Sequence, residues 1–568
     1  MQSANILNWY PFEKNNKILE IGFDNLELTK VLCDSCKDLT IVDSTIENSE
    51  NLDKIENLNI INEKINKLNL NDKYDFIIII GLEEKLKKFD CINLKLSNII
   101  SKLEKYLLPN GKFLIAVDNK FGLRFFSGDP ENIFNKKFAS LNGYNNEPQK
   151  VETFTRSKLN EIFENSGYKT FFYYPLPDYK LPNVIFSDNQ LPDYTNVDKY
   201  FPYHTEKSDL LINEIDVFRE ILKTDENMFT FFTNSFLIEA SKQDIECKYK
   251  YISFNNLRKK QYQLITKITD DYAEKQVISN ESKEHYQNII NNLQILNESG
   301  IKTVDYVENS VIKSKYIEHK YFLENALLEK LENGNKYEFY KLIDDYINKI
   351  SIGCYQEKDN KKTVFYKYQI SIDEELLSKL HFLKKGLWDM TFSNCFYIDN
   401  EFVFFDQEWE EDNLPYEYIL YRSILYTISL RRFININEIF EKYHLTAFLE
   451  IFKNLDDKIQ QNIRDEEVNK FYSKNYFFNI DETKQEVINL NIRLQAQEMA
   501  KEGLKSENDE FKNEIVNIQQ ENEELKKENS ELKAEKENIT KEYLEYRNIQ
   551  EKKLSNRIKR KLKKILKR

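Results

Sequence analysis

The chain has 568 residues, with 82 Lys or Arg against 95 Asp or Glu and a formal net charge of −13. That length exceeds one hydrophobic core and predicts several domains, and 39 Phe and 35 Tyr supply the bulk to fill them. There is no run of 18 apolar residues, no basic-then-apolar leader in MQSANILNWY and no second close pair beside Cys33 and Cys36, so a membrane span, a secretory leader and a zinc site are not expected, and the six cysteines read as reduced thiols.

The first region alternates strand and helix. KILEIG (17–22) reads as a buried strand and LELTKVLCDSC as the helix after it; DLTIVDS is a second strand and NLNIINE a weaker third. YDFIIII (74–80) is apolar throughout, as a parallel strand covered on both faces should be. NLKLSNIISKLEKYL carries apolar residues three and four apart, PNGKFLIAVDN is a turn and a fifth strand, and SKLNEIFENSGYKTFFYYPL is a helix, a Gly stop and a strand. Such alternation predicts an α/β doubly wound sheet.

In such sheets ligands sit beyond the carboxyl ends of the strands. The first strand ends at Glu20-Ile21-Gly22, and Asp43, 21 residues past Gly22, ends the next. A carboxylate there can accept both hydroxyls of a ribose. The segments KILEIG, IVDS, YDFIIIIGLEE and LLPNGKFLIAVDNKFGLRFFSG resemble the class I S-adenosylmethionine-dependent methyltransferases; the last of them, with FTRSKL and YYPLPDYKLPNVIFSD, resembles a branch found with bacterial surface-polysaccharide genes. The resemblance covers roughly residues 1–240. It implies that Glu20 and Gly22 line the methionine end of the cofactor, that Asp43 takes its ribose and Asn66 its adenine, and that Asp75 with Gly81–Glu83 closes the site. The family loop reads E-x-G-x-G-x-G, whereas here Asp24 and Leu26 stand in place of two of its glycines.

A second region, about 246–475, carries WDMTFSNCFYIDNEFVFFDQEW. Asp389 and Asn394 are five residues apart, and Asp406 follows two alternating apolar strands with an Asp399-Asn400 turn between them. That is the kinase spacing: Asp389 as the catalytic acceptor of a hydroxyl proton, Asn394 and Asp406 as oxygen ligands for magnesium. Upstream, Lys275 on a strand and Glu284 on the next helix are the expected phosphate-gripping lysine and its helix partner, with a hinge near Glu318, so Mg-ATP is the expected second cofactor. Trp388 replaces the usual His, Asp406-Gln407-Glu408 replaces D-F-G, and residues 168–299 contain no glycine for a phosphate-covering lid.

Downstream, apolar residues recur every seven positions at Leu504, Phe511, Ile518, Leu525, Leu532 and Ile539, with Leu494 and Ile515 and also Asn508, Asn522 and Asn529 at companion core positions. This predicts a self-associating coiled coil with buried Asn, two- or three-stranded. The last 17 residues hold ten Lys or Arg and no acid, with Leu554, Ile558, Leu562, Ile565 and Leu566 on one helical face. Such a helix suits an anionic membrane surface better than nucleic acid.

The expected organisation is a Rossmann-like methyltransferase domain over 1–240, an α+β protein-kinase-like domain over 246–475, a coiled coil over 484–548 and a basic amphipathic tail over 549–568. That order resembles the bifunctional methyltransferase–kinases that terminate O-antigen chains in bacteria. The resemblance implies an enzyme on the cytoplasmic face of the membrane that phosphorylates and methylates a glycan end, with a glycosyltransferase as partner. The alternative is a non-catalytic membrane-associated scaffold with degenerate nucleotide sites.

Overall fold

The computed structural model describes residues 2–468 except 47–51, 53–54, 90–92, 148–150, 195–196, 198–210, 226, 247–248 and 309–310, together with scattered positions between 490 and 534. The coiled coil and basic tail expected over 484–548 and 549–568 lie, but for those few positions, outside the described residues. Two compact units are formed, one from Met1–Cys247 and one from Lys248–Lys470.

The first unit is built on eight strands: β1 Lys17–Ile21, β2 Asp38–Val42, β3 Leu58–Ile61, β4 Tyr74–Ile80, β5 Leu107–Asp118, β6 Lys169–Leu176, β7 Val184–Ser187 and β8 Ser235–Ser241. Their order is β3-β2-β1-β4-β5-β8-β6-β7. The first five pair in parallel, and β8 runs antiparallel between β5 and β6. This is a Rossmann-like mixed α/β sheet. The chain winds outward from β1 in one direction through β2 and β3, and from β4 in the other, so the switch point lies between β1 and β4.

The elements form where the apolar residues fall. Every residue of β4 except Asp75 is buried, which suits a strand covered on both faces. Helix α1 (Leu26–Ser35) starts where the Asn25 side chain accepts the Leu28 amide. After α2 (Leu82–Lys88), helix α3 (Leu96–Leu103) buries Leu96, Ile99, Ile100 and Leu103, the i, i+3, i+4, i+7 stripe of an amphipathic helix. Strand β5 begins at Leu107, ahead of the Pro109-Asn110-Gly111 turn expected to precede it. Cys33 and Cys36 are free and buried, and burial pushes their thiols up to about 12 and about 11.

The second unit opens with β9 Tyr251–Phe254, β10 Leu264–Ile268, β11 Tyr272–Val277, β12 Tyr306–Glu308 and β13 Ile312–Lys315, in the order β12-β13-β11-β10-β9 and antiparallel throughout. The helix Lys283–Glu298 packs Ile289, Ile290 and Leu293 on Leu264 and Ile312. A mainly helical part follows around a core that includes Tyr346, Phe382, Trp388, Phe404, Tyr418 and Phe452. It holds an antiparallel pair, β14 Phe382–Leu387 with β17 Glu410–Pro415, and between them in the chain a hairpin, β15 Cys395–Ile398 with β16 Glu401–Phe404. Asp399 and Asn400 join β15 to β16 with φ of 51° and 63°, the double left-handed turn that matches strand twist.

Candidate functional site

The first candidate site lies at the switch point. Gly22 leaves β1 with φ 83°, donates its amide to Val42 O at 2.8 Å, and has no room for a side chain: a Cβ would stand 2.6 Å from Lys85 Cδ. The left-handed backbone favours glycine, and a side chain would also have to displace Lys85. Glu20, one residue from the end of β1, is fully buried, and neither carboxylate oxygen makes a full hydrogen bond. Burial raises its pKa to about 8; the nearby Lys85 ammonium opposes that, the Asp24 carboxylate adds to it while the Asp24 backbone amide, near enough to interact, lowers it, and Asp43 adds to it.

Asp43 ends β2 with its carboxylate engaged on both oxygens. Oδ1 accepts the Thr45 amide (2.8 Å) and hydroxyl (2.7 Å); Oδ2 accepts the Phe23 amide (2.9 Å) and Lys88 Nζ (2.6 Å). Burial pushes this carboxyl upward, but the hydrogen bonds from Lys88 and Thr45 more than offset it, and its pKa is lowered. Lys85 and Lys88, one turn apart on α2, face the loops after β1 and β2. Lys85 is buried and donates to Phe23 O at 2.8 Å; the Lys88 side chain is 32% exposed.

At the carboxyl end of β4, Gly81 has φ 75° and begins α2, and a Cβ there would meet the Tyr179 hydroxyl at 3.0 Å. Glu83 is buried in the first turn, its pKa raised by burial and then by Asp118, which ends β5. Gly22, Glu20, Asp43, Gly81 and Glu83 thus all stand at carboxyl ends of the parallel strands or just beyond them.

Two expected residues stand elsewhere. Asp75 is at the start of β4 and accepts the Lys17 amide at 2.7 Å, at the opposite end of the sheet. At ~3.3 Å per residue it lies on the order of 15 Å from the switch point and cannot close that site. Asn66 is exposed in the turn after β3.

The second candidate site is in the second unit. Lys275 of β11 donates to the carboxylates of both Asp406 and Glu408. Glu408 is buried and also takes the Arg258 guanidinium and, at 3.4 Å, His285 Nε2. Burial raises this carboxyl, but Arg258 and Lys275 outweigh it and hold it well below the usual range. Asp406 has φ 56°, a strained conformation for a non-glycine residue; burial and Glu408 raise its pKa against Lys275. Glu284 is a correction: it is exposed on its helix, and its neighbour His285 is the residue turned inward. One residue is 100° of helix rotation, so the carboxylate beside Lys275 on this wall is Glu408.

Asp389 and Asn394 share a loop tied to the same segment. Asn394 Nδ2 and Gln407 Nε2 donate to the Asp389 carbonyl at 3.1 and 3.2 Å, and the Phe405 amide donates to Asn394 O at 3.1 Å. Asp389 has its pKa raised to about 7 by burial and Glu408, against Arg422 and Arg258. Among the described residues no group of three or more His, Cys, Asp or Glu is placed to hold a metal ion. Any magnesium here would rely on Asn394 and Asp406 alone, and Asp406 is already paired with Lys275.

Lys85, Lys88, Arg258 and Glu408 were not singled out by sequence reasoning. Only one signal was available: Lys85 and Lys88 share a face at i, i+3 spacing on the helix that follows YDFIIIIG.

No protein-family description and no curated protein matches the chain. Solved structures similar to it include a methyltransferase of Haloferax volcanii in complex with its Trm112 activator (13% identity, 43% of this chain and 89% of that one, TM-score 0.27). Others are the YcgJ protein of a Bacillus (12%, 43% and 99%, 0.23) and the Burkholderia thailandensis 1,6-didemethyltoxoflavin-N1-methyltransferase with S-adenosylhomocysteine (13%, 43% and 77%, 0.24). With scores this low, the fold assignment of the first unit rests on its own strand order and register.

Proposed function

We propose that the first unit is a methyltransferase domain that binds S-adenosylmethionine across the carboxyl ends of β1 and β2. The observation that carries this reading is Glu20, a fully buried carboxylate with no full hydrogen bond, beside a glycine that must be left-handed. Burying such a group is costly unless a partner arrives, and the cofactor is cationic at its methionine end. The residues fit it: Glu20 for that end, Gly22 for close backbone approach, Asp43 for the ribose. Two side chains must move, Lys88 off Asp43 and Lys85 away from Gly22. When bound, the sulfonium supplies an activated methyl group; the chain's part is to hold and orient.

For the second unit the reading is a phosphotransferase-like domain for Mg-ATP. It is supported by Lys275 meeting Asp406 and by the loop that ties Asn394 to Asp389. An acid with a pKa near 7 is suited to taking a proton from an acceptor hydroxyl. The order of the two units, the heptads and the basic tail support a role at the end of a bacterial surface glycan, on the inner face of the membrane, with self-association through the coil and a glycosyltransferase partner.

The competing reading is a scaffold. It is favoured by the way Lys88 satisfies Asp43 and by the mutual neutralisation of Lys275, Arg258, Asp406 and Glu408. Calorimetric titration of the full chain, separately with S-adenosylmethionine and with Mg-ATP, decides between them. The enzyme reading expects one site for each ligand; binding of neither establishes the scaffold.

A further inference from the structure

A small cavity of about 20 Å³ lies beyond the ends of β4 and β5, lined by residues between Lys120 and Tyr144 and by Glu152, Thr153 and Phe154. Glu83, Asp118 and Ser140 line it, each at least nine-tenths buried, and Glu83 Oε2, Asp118 Oδ1 and Ser140 Oγ have no hydrogen-bond partner. Three orphaned polar atoms around one void of water size mark a place built for a polar occupant.

Charge decides which occupant. Arg124 pairs with Asp118 Oδ2 at 2.7 Å and with Asp178 Oδ2 at 2.8 Å, so one guanidinium answers two aspartates. Lys180 is committed to Glu84 at 2.6 Å and to Asn132 at 2.8 Å. Glu131 is satisfied by the amides of Ile133, Phe134 and Lys136. Glu83 has no ion-pair partner among the described residues; of the lining residues Lys120 is cationic, against the acids Glu83, Asp118, Glu131 and Glu152, the last of which accepts the Leu96 amide at 2.8 Å, so the balance around the cavity stays negative. Burial raises both Glu83 and Asp118; Asp118 raises Glu83 further, while Arg124 and Lys180 oppose the rise of Asp118. A water would meet the hydrogen bonds but leave the excess negative charge buried. A hydrated divalent ion does not fit a void of this size, since magnesium keeps several waters.

We propose that this cavity binds a single compact positive charge, an alkali ion or the primary ammonium head of a small amine, on Glu83 Oε2, Asp118 Oδ1 and Ser140 Oγ. Glu83 is shared with the set expected to close the cofactor site, whereas Asp118 and Ser140 are not, so the test is run without S-adenosylmethionine and reads cation binding rather than methyl transfer.

The test is hydrogen exchange of the full chain at pH 8, read on peptides covering 112–146, in tetramethylammonium chloride and then at equal ionic strength in potassium chloride, ammonium chloride, methylammonium chloride or ethanolamine hydrochloride. The proposal expects exchange in these peptides to slow by about threefold or more with at least one of the four compact cations and not with tetramethylammonium. Slowing by potassium and ammonium alone assigns an alkali-type ion; slowing by the alkylamines assigns an amine head. The effect should be lost in Glu83→Gln and reduced in Ser140→Ala, the latter kept as the milder variant should the former unfold. Equal exchange in all five salts overturns the proposal and leaves a proton or water as the occupant.

Discussion

At the scale of single residues, the account turns on buried charges and what answers them. Removing the Lys88 amine frees Asp43: Lys88→Ala should bind S-adenosylmethionine about three- to tenfold more tightly by calorimetry, the worth of an ion pair between a buried carboxylate and a one-third exposed lysine. Weaker binding by that variant would mean that Lys88 serves the ligand. Glu20 has its folded pKa raised from 4.5 to about 8, so its contribution to stability is fully present below about pH 4.5 and is lost as pH rises towards 8. Glu20→Gln should therefore raise the melting midpoint of the first unit at pH 8 by about 5 °C, with little gain at pH 4.5, while weakening cofactor binding. A gain that does not change with pH would remove the titration argument. Glu408→Gln takes the shared partner from Lys275, Arg258 and His285 and should cost the second unit about 3–5 kcal/mol in urea unfolding. The positions of Glu20, Gly22 and Asp43 at strand ends, and of Asp389 and Asn394 in the loop before β15, could be read from the chain because each sits at a fixed step from an apolar run. Glu408, Arg258 and Lys85 could not: Lys, Arg and Glu are common surface residues, and their meeting joins positions as much as 150 apart.

Elements explain both what sequence shows and where it stops. The β15–β16 hairpin was legible because Phe396, Phe402 and Phe404 alternate around a turn pair that tolerates left-handed backbone. Asn400→Gly should leave the second unit as stable or up to about 1 kcal/mol more stable, and Asn400→Val should cost about 1–2 kcal/mol, read from denaturant midpoints. Equal midpoints for the two variants would show that the turn conformation is not what fixes the register. The parallel core was legible because YDFIIII is apolar on both faces and admits no half-exposed arrangement. Its ends were harder to assign: Asp75 belongs to the right strand but to its amino end. The helix carrying Glu284 was placed correctly, yet a shift of one residue turned His285 inward instead. Strands β7 and β8 and the helices Glu214–Thr224 and Met228–Phe232 went unread: the strands and Met228–Phe232 are short apolar runs that fit strand or helix equally, while Glu214–Thr224 buries Phe218 and Leu222 four residues apart, a helical signal that was present in the sequence.

For the whole molecule, charge and modularity lead. The strongly basic end offsets part of an acidic chain, and on the proposed reading the coil and tail serve assembly and membrane attachment. Deleting residues 484–568 should abolish self-association in sedimentation velocity and co-sedimentation with anionic vesicles, without lowering the melting midpoints of the two units; unchanged sedimentation of the truncated chain would exclude both roles. The central claim is that the switch point between β1 and β4 is a cofactor site held shut by two lysines. The most direct measurement is a crystal structure of the full chain grown with S-adenosylhomocysteine. The account predicts the ligand beyond the carboxyl ends of β1 and β2, its ribose on Asp43, with Lys88 turned into solvent and Lys85 withdrawn from Gly22. A saturated crystal in which the Lys88–Asp43 pair is intact and the ligand is absent or bound elsewhere would contradict it.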